Sequence, residues 1–419
     1  MTEHTTSSTG QLPYRPRALA LVNKLGTGLK RLGVGTDAIQ EAELFRAARA
    51  STGLSDFGDE SFRIPLDVLL RSIHGEARLH TVGRLITKTR LVAALSTRLR
   101  VTDLLKREPQ ILARPMPPPI VIAGLQRTGT TMLHRLLASD PSLRALRSWE
   151  AIAPVSPGVR LFGQVEPRLV QAKLSERALL YMAPEFFAIH PVEADAPEED
   201  VLLLDYAFLS TVPEATLHVP SYARWLETQD NTPAYEYLAI LLKVLSHAQG
   251  PERWILKTPH HLEYLDLLRK VFPGVRVIHT HRDPTRTLAS FCSMIWHGRG
   301  VFSDEIDANE IGRHWSRKVG RMLSRALAVR AEVANEGFVD VSYYDLIADP
   351  VVVAKRVYAA LDLPFSSELE QRMRDTREHN PQHKYGQHRY QLGDFGLTAE
   401  GVEPLFAAYR ERFSVQREG

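Results

Sequence analysis

The eight residues Gly124-Leu125-Gln126-Arg127-Thr128-Gly129-Thr130-Thr131 constrain this chain more than any other stretch. An apolar, strand-like run (Ile120, Val121, Ile122, Ala123) leads into them, and a helix-like run (Met132, Leu133, Leu136, Leu137) leads out. Strand, glycine-bearing loop and helix in that order make a phosphate cradle, because backbone N–H groups and a helix N-terminus converge on one anion. A nucleotide triphosphatase would carry GxxxxGK[ST], whose lysine reaches the β- and γ-phosphates. Thr130 stands at that lysine's place, and the loop's cation is Arg127 instead. The pattern predicts a phosphate-bearing ligand that has no γ-phosphate.

The rest of the chain reads as an α/β fold: a P-loop-like parallel sheet flanked by helices, with a helical N-terminal extension. Besides Ile120–Ala123, the short apolar runs Trp254–Leu256, Val275–Ile278 and Phe338–Val341 read as buried parallel strands. Helical patterns separate them over Leu262–Val271, Pro284–Ile295, Ile311–Val333 and Pro350–Leu361, the alternation of a doubly wound sheet. Residues 1–13 are polar and read as a disordered tail, and 14–115 as a helical extension. Pro115, Pro117, Pro118 and Pro119 force an extended entry to a catalytic domain over 116–419. A largely helical insertion at about 150–250 is expected to shape a substrate pocket.

At 419 residues the chain is long enough for a sizeable core. Its formal net charge of +3 gives no electrostatic case for a nucleic-acid partner. Cys292 is the sole cysteine, so an intramolecular disulfide is impossible and a reducing cytoplasm is the expected home. Apolar stretches such as Leu238–Leu245 are far too short to span a bilayer, so no integral membrane association is expected.

Three segments share the loop's position, just after a candidate strand. They are Lys257-Thr258-Pro259-His260-His261-Leu262, then His279-Thr280-His281-Arg282-Asp283-Pro284 with Ser290, then Ser342-Tyr343-Tyr344-Asp345-Leu346 closing with Asp349-Pro350. Strand-end residues of a parallel sheet project into one crevice, so these side chains are expected to converge. The pairs His260–His261 and His279–His281 come with neither an HExxH arrangement nor cysteine ligands, so no metal site is expected. Glu198-Glu199-Asp200 reads most simply as a solvated helix start, with the acceptor site as its other reading.

This ordered set resembles the sulfotransferases that use 3′-phosphoadenosine 5′-phosphosulfate (PAPS), in particular the bacterial branch acting on small hydroxylated metabolites and lipids. Arg127 to Thr131 match the family's 5′-phosphosulfate loop. Arg282 with Ser290 eight residues on matches its 3′-phosphate motif, and Trp254 to Leu262 resemble its W-x-L-K-x-P-x-H-L stretch. Tyr343, Asp345, Leu346 and Pro350 match a further strand-end motif, and the likeness covers roughly residues 118 to 397. There are departures. Cytosolic members carry Lys where this chain has Arg127, and an adenine-stacking Trp where it has Met132. Their C-terminal Arg-Lys-Gly has no clean counterpart; the basic run His383 to Tyr390, with Phe395-Gly396-Leu397, looks like the bacterial branch's own ending.

The resemblance implies sulfuryl transfer from PAPS to a hydroxyl of a small, lipophilic acceptor, with no metal. Arg127, Thr128, Gly129, Thr130 and Thr131 would hold the 5′-phosphosulfate, Arg282 and Ser290 the 3′-phosphate, and Tyr343 the adenine. Arg127 and Lys257 would meet charge developing on the leaving oxygen. For the general base the first choice is His261, at the family's His-Leu position, with His260 beside it; the second is Glu150, since several sulfotransferases use a glutamate there. The competing readings are a P-loop kinase, which would need magnesium and ATP, and a non-catalytic protein binding an adenylate nucleotide.

Overall fold

The computed structural model describes residues 13–32, 38–156, 166–247, 252–379 and 390–418. The polar tail 1–12 and most of the basic run from His383 lie outside the described residues. Five parallel strands form one sheet: β1 (Ile120–Gly124), β2 (Leu143–Ala145), β3 (Arg253–Lys257), β4 (Arg276–His281) and β5 (Phe338–Ser342), in the order β2-β3-β1-β4-β5. Four of them coincide with the four apolar runs. The fifth, β2, is three residues long and carries Arg144 at its centre, so it has no apolar run by which to be recognised. It pairs at the edge with β3, Arg144 opposite Trp254.

The central strand β1 is apolar and buried along its whole length because both faces of the sheet are covered there. Ile120 and Ile122 of β1 join Ile255 and Ile278 in a core with the helices Thr130–Leu137 and Pro350–Ala360. Val121 and Ala123 point the other way and join Leu256 and Val277 in the larger core. Leu44, Leu66, Leu95 and Leu99 of the N-terminal helices belong to that same larger core, so the extension is packed on the sheet rather than tethered to it. Between β2 and β3 the described chain is mostly helical, interrupted by irregular stretches such as residues 190–200.

β1 lies between β3 and β4, and register pairs Ile122 with both Lys257 and Ile278. The carboxyl ends of β1, β3 and β4 therefore open side by side, which is where ligands enter a doubly wound sheet.

Behind the end of β3 the helix Ala308–Glu332 buries a lysine. Lys318 has no solvent exposure, and its Nζ lies 2.8 Å from Glu263, 3.3 Å from Glu214 and 3.4 Å from Glu227. His314 donates its Nε2–H to the second oxygen of Glu214 at 2.9 Å. Burial alone would raise the Glu214 pKa, but the Lys318 charge and the hydrogen bond from His314 hold it at about 2. This network pins the segment that follows β3 to the helical layer. Lys318→Met should lower unfolding stability by about 3–5 kcal/mol, the usual cost of leaving buried charges unpaired, as read from urea titration at pH 7. Because the folded Glu214 pKa lies below the unfolded value of about 4.3, its contribution is present above pH ~5 and lost as pH falls toward ~2. The wild-type midpoint should fall steeply over that window, and the Lys318→Met midpoint less so.

Candidate active site

The loop between β1 and the helix Thr130–Leu137 turns through two left-handed residues, Arg127 (φ 69°) and Gly129 (φ 82°). A side chain at Gly129 would be strained by that φ, and its Cβ would come within 2.6 Å of the Leu346 side chain. The turn leaves the N-terminus of the helix facing a cleft of about 720 Å³.

One end of the cleft is polar and cationic. Arg127, Thr130, Thr131, Arg282, Ser290 and Tyr343 all line it, although they come from three separate strand ends. Ser290 is buried there and its Oγ has no hydrogen-bond partner, a group placed for a ligand rather than for the fold. Arg282 stacks its guanidinium 4.0 Å from the centre of the Tyr343 ring, which is the ring's contact in this structure. Arg282 also donates to the Arg127 carbonyl (2.9 Å) and grips both carboxylate oxygens of Glu418 at 2.6 and 2.8 Å. Asp283 accepts the Glu418 backbone N–H at 2.7 Å, so the C-terminus is fastened across this arginine.

The other end of the cleft is apolar, lined by Phe186, Ile189, Val212, Phe291, Ile295 and Trp315 among others. These come from the insertion and from the helices Pro284–Gly300 and Ala308–Glu332. Between the two ends sits Lys257, whose Nζ donates to Glu199 at 2.7 Å. Thr258 donates to the other Glu199 oxygen at 3.3 Å. His260 completes this waist: its Nδ1 shares a hydrogen bond with Thr211 (3.2 Å), and its buried Nε2 has no partner. Burial first, then the positive charge at His261, lowers the His260 pKa to about 3, so its imidazole is neutral at pH 7.

Three expected site residues stand elsewhere. His261 has no solvent exposure, with Nε2 bonded to Asp200 (2.8 Å) and Nδ1 to the Tyr235 hydroxyl (2.9 Å). Both ring nitrogens are hydrogen-bonded, and it is not among the residues that line the cleft. Glu150 is buried against Arg144 (2.8 Å) and accepts the Arg147 N–H (3.0 Å) at a helix start, and it is not among the residues that line the cleft. The Thr128 hydroxyl turns inward to the Leu125 carbonyl and to Thr280, both at 2.6 Å, so it shapes the loop from beneath. The residue that sequence reasoning undervalued is Glu199. Its run reads as a solvated helix start, yet Asp200 is fully buried and Glu199 faces the cleft. Three consecutive acids opposite a strand-end lysine were the available signal.

Among the described residues, His279, His281 and Asp340 bring ligand-type atoms within 4.8 Å of one another. Arg330 pairs with both oxygens of Asp340 and approaches His279 Nδ1 at 3.3 Å, so a cation already fills the cluster. His281 also bonds the Tyr409 hydroxyl (2.8 Å), tying the C-terminal helix to β4.

Comparison with known proteins agrees with this geometry. The sulfotransferase family profile matches residues 118–367. The chain belongs to that family. Its structure superposes on sulfotransferase STF1 of Mycobacterium tuberculosis with a TM-score of 0.78 and 34% identity, covering 89% of this chain and 100% of that one. Sulfotransferase STF9 of Mycobacterium avium gives a TM-score of 0.83 with 30% identity, covering 92% of this chain and 99% of that one. The chain is also 26% identical, over 266 residues, to the omega-hydroxy-beta-dihydromenaquinone-9 sulfotransferase Stf3 of Mycobacterium bovis and of M. tuberculosis. That match takes in 59% of this chain and 63% of the length of those relatives.

The contrast between His261 and the cleft histidine is testable by stability alone. Burial opposes the charge on Asp200, and the His261 charge and hydrogen bond overcome it, holding the Asp200 pKa below its ordinary value. His261→Ala strands that buried carboxylate and should cost about 3–5 kcal/mol in chemical denaturation. His260→Ala removes no charged partner and should cost clearly less.

Proposed function

We propose that this protein transfers a sulfuryl group from PAPS to the hydroxyl of a lipophilic alcohol, in a cytoplasmic setting. The observation that carries the reading is the mixed lining of one cleft: a phosphate loop with Arg127 and Arg282, apolar side chains such as Phe186, Phe291 and Trp315, and the Lys257–Glu199 pair.

In this reading the loop N–H groups with Thr130 and Thr131 hold the 5′-phosphate, and Arg127 faces the phosphosulfate. Arg282 and the free Ser290 hydroxyl take the 3′-phosphate, with Tyr343 backing the arginine. Sulfuryl transfer, like phosphoryl transfer, is mostly positioning plus stabilisation of charge on the transferring group and leaving oxygen. Lys257 supplies that stabilisation: its ammonium hydrogen-bonds the bridging oxygen as the O–S bond lengthens. Glu199 accepts the acceptor hydroxyl's proton as the oxygen attacks sulfur. Glu199 is chosen because it lines the cleft in contact with Lys257 (2.7 Å), whereas burial lowers the His260 pKa to about 3 and weakens that imidazole as a base. His260 instead orients the hydroxyl through its unpartnered Nε2.

The apolar lining favours an acceptor with a long hydrocarbon portion, and the menaquinone-derived substrate in the name of the Stf3 relatives is of that kind. The kinase reading lacks the loop lysine, since Thr130 occupies its place.

Two experiments address donor and chemistry separately. Glu199→Gln should lower turnover about 10²–10⁴-fold at saturating PAPS while leaving adenosine 3′,5′-bisphosphate binding within a few-fold. If His260→Ala collapses turnover and Glu199→Gln does not, the base is the histidine. For the donor, Arg282→Ala should weaken adenosine 3′,5′-bisphosphate about 10- to 100-fold and leave ADP nearly unchanged, by calorimetry without metal. Glu418→Gln should act in the opposite direction, tightening the bisphosphate about three- to tenfold, because it frees the arginine the 3′-phosphate needs. Equal losses for ADP and the bisphosphate in the Arg282 variant would refute the 3′-phosphate assignment.

A further inference from the structure

The helix Arg17–Arg31 is mounted inside out. Residues Ala18, Leu21, Val22, Leu25 and Leu29, with Leu32 just beyond, recur at helical spacing and form one continuous apolar stripe. A surface helix normally turns such a stripe to the core. Here the four leucines are 51–77% exposed and Val22 is 45% exposed. The face against the protein is small and polar instead. Asn23 is buried and its Oδ1 accepts the Val82 N–H (3.0 Å), while Gly26 lies so close to Thr81 that a Cβ would sit 1.9 Å from its Oγ1. The close approach at Gly26 and the Asn23 bond fit this mounting, which leaves the stripe outward.

The stripe's surroundings are basic. All four charged residues of the helix, Arg17, Lys24, Lys30 and Arg31, are cationic. The two residues Tyr14 and Arg15, just before the helix, touch elements that line the cleft. Arg15 donates to the Gly300 carbonyl (2.7 Å) at the end of the helix that carries Phe291 and Ile295, and the Tyr14 N–H reaches Glu185 (3.4 Å), the neighbour of Phe186.

We propose that this helix lies on an anionic lipid surface, leucines in the acyl boundary and cations among the headgroups, so that the cleft opens toward the bilayer holding the acceptor. An apolar stripe flanked by Lys and Arg, on a helix without acidic residues, is the form of an interfacial helix. The last clause rests on the acceptor reading above; the surface itself does not. Two other occupants fit less well. Residues 1–12 contain only Met1 and Leu12 as large apolar side chains, too little to cover the stripe. Pairing with a second copy would set two helices of four cations each side by side, over a contact about 22 Å long and about 10 Å wide, roughly 220 Å² and well below the ~800 Å² per partner of a stable dimer.

The test is co-sedimentation of the full-length protein with vesicles of phosphatidylcholine, alone or with about a third phosphatidylglycerol. Binding to the anionic vesicles is expected, weakening as salt is raised. The triple variant Leu21→Ser, Leu25→Ser, Leu29→Ser should bind at least tenfold more weakly. Lys24→Glu, which leaves the stripe intact, should weaken binding about fivefold or more. Adenosine 3′,5′-bisphosphate affinity should be unchanged in both, which verifies the fold without any turnover assay. Absence of wild-type binding, or equal binding by the triple variant, overturns the proposal and leaves the sulfuryl-transfer reading untouched. A concentration-dependent dimer that the triple variant abolishes also overturns it, in favour of a second copy.

Discussion

Asp200 has no contact with water, yet it is the residue on which the waist of the cleft hangs. One of its oxygens accepts the Lys257 backbone N–H, and the other holds the His261 ring. A buried carboxylate costs several kcal/mol unless it is paired and hydrogen-bonded, and both conditions are met here. The result is a rigid tie between the insertion and the end of β3. Because neighbouring side chains at this turn point to opposite sides, burying Asp200 presents Glu199 to the cleft, within 2.7 Å of the lysine ammonium. The pairing of Glu199 with Lys257 is thus a consequence of a structural contact one residue away.

Charge is distributed along the cleft in a matching way. Arg127, Lys257 and Arg282 form a cationic arc at the strand ends, while two carboxylates, Glu199 and Glu418, answer the second and third. Glu199 is held in place by elements on both of its sides. Glu418 belongs to the C-terminal segment and meets Arg282 where a doubly charged phosphate is expected to bind more strongly than a single carboxylate. The phosphate end of the cleft is consequently neutralised without ligand, which spares the fold the repulsion of clustered, unanswered cations.

Much of the framework was legible from residue pattern. β1, β3 and β4 carry apolar runs because both faces are buried there, β5 is recognisable over Phe338–Val341 despite its exposed Asp340, and the loop after β1 announces itself by its glycines and threonines. The three further strand-end motifs converge as a parallel sheet requires, and Arg127, Thr130, Thr131, Lys257, Arg282, Ser290 and Tyr343 all line one cleft. β2 escaped notice because three residues with a central arginine make no periodic signal.

What pattern could not supply was the direction of individual side chains. His261 and Glu199 are each one residue from a neighbour of similar chemistry, and sequence position does not say which member of the pair is buried. Long-range contacts decided it: Asp200 and Tyr235 take His261, leaving His260 and Glu199 to the cleft. The same holds for the helix Arg17–Arg31, whose leucine stripe predicts burial by its period alone. Close approach at Gly26 and the Asn23 bond to Val82 turn that stripe outward. The sequence by itself determined the elements and the chemistry at their ends. Tertiary packing determined which face and which atom each element presents, because orientation depends on contacts with residues tens to hundreds of positions away.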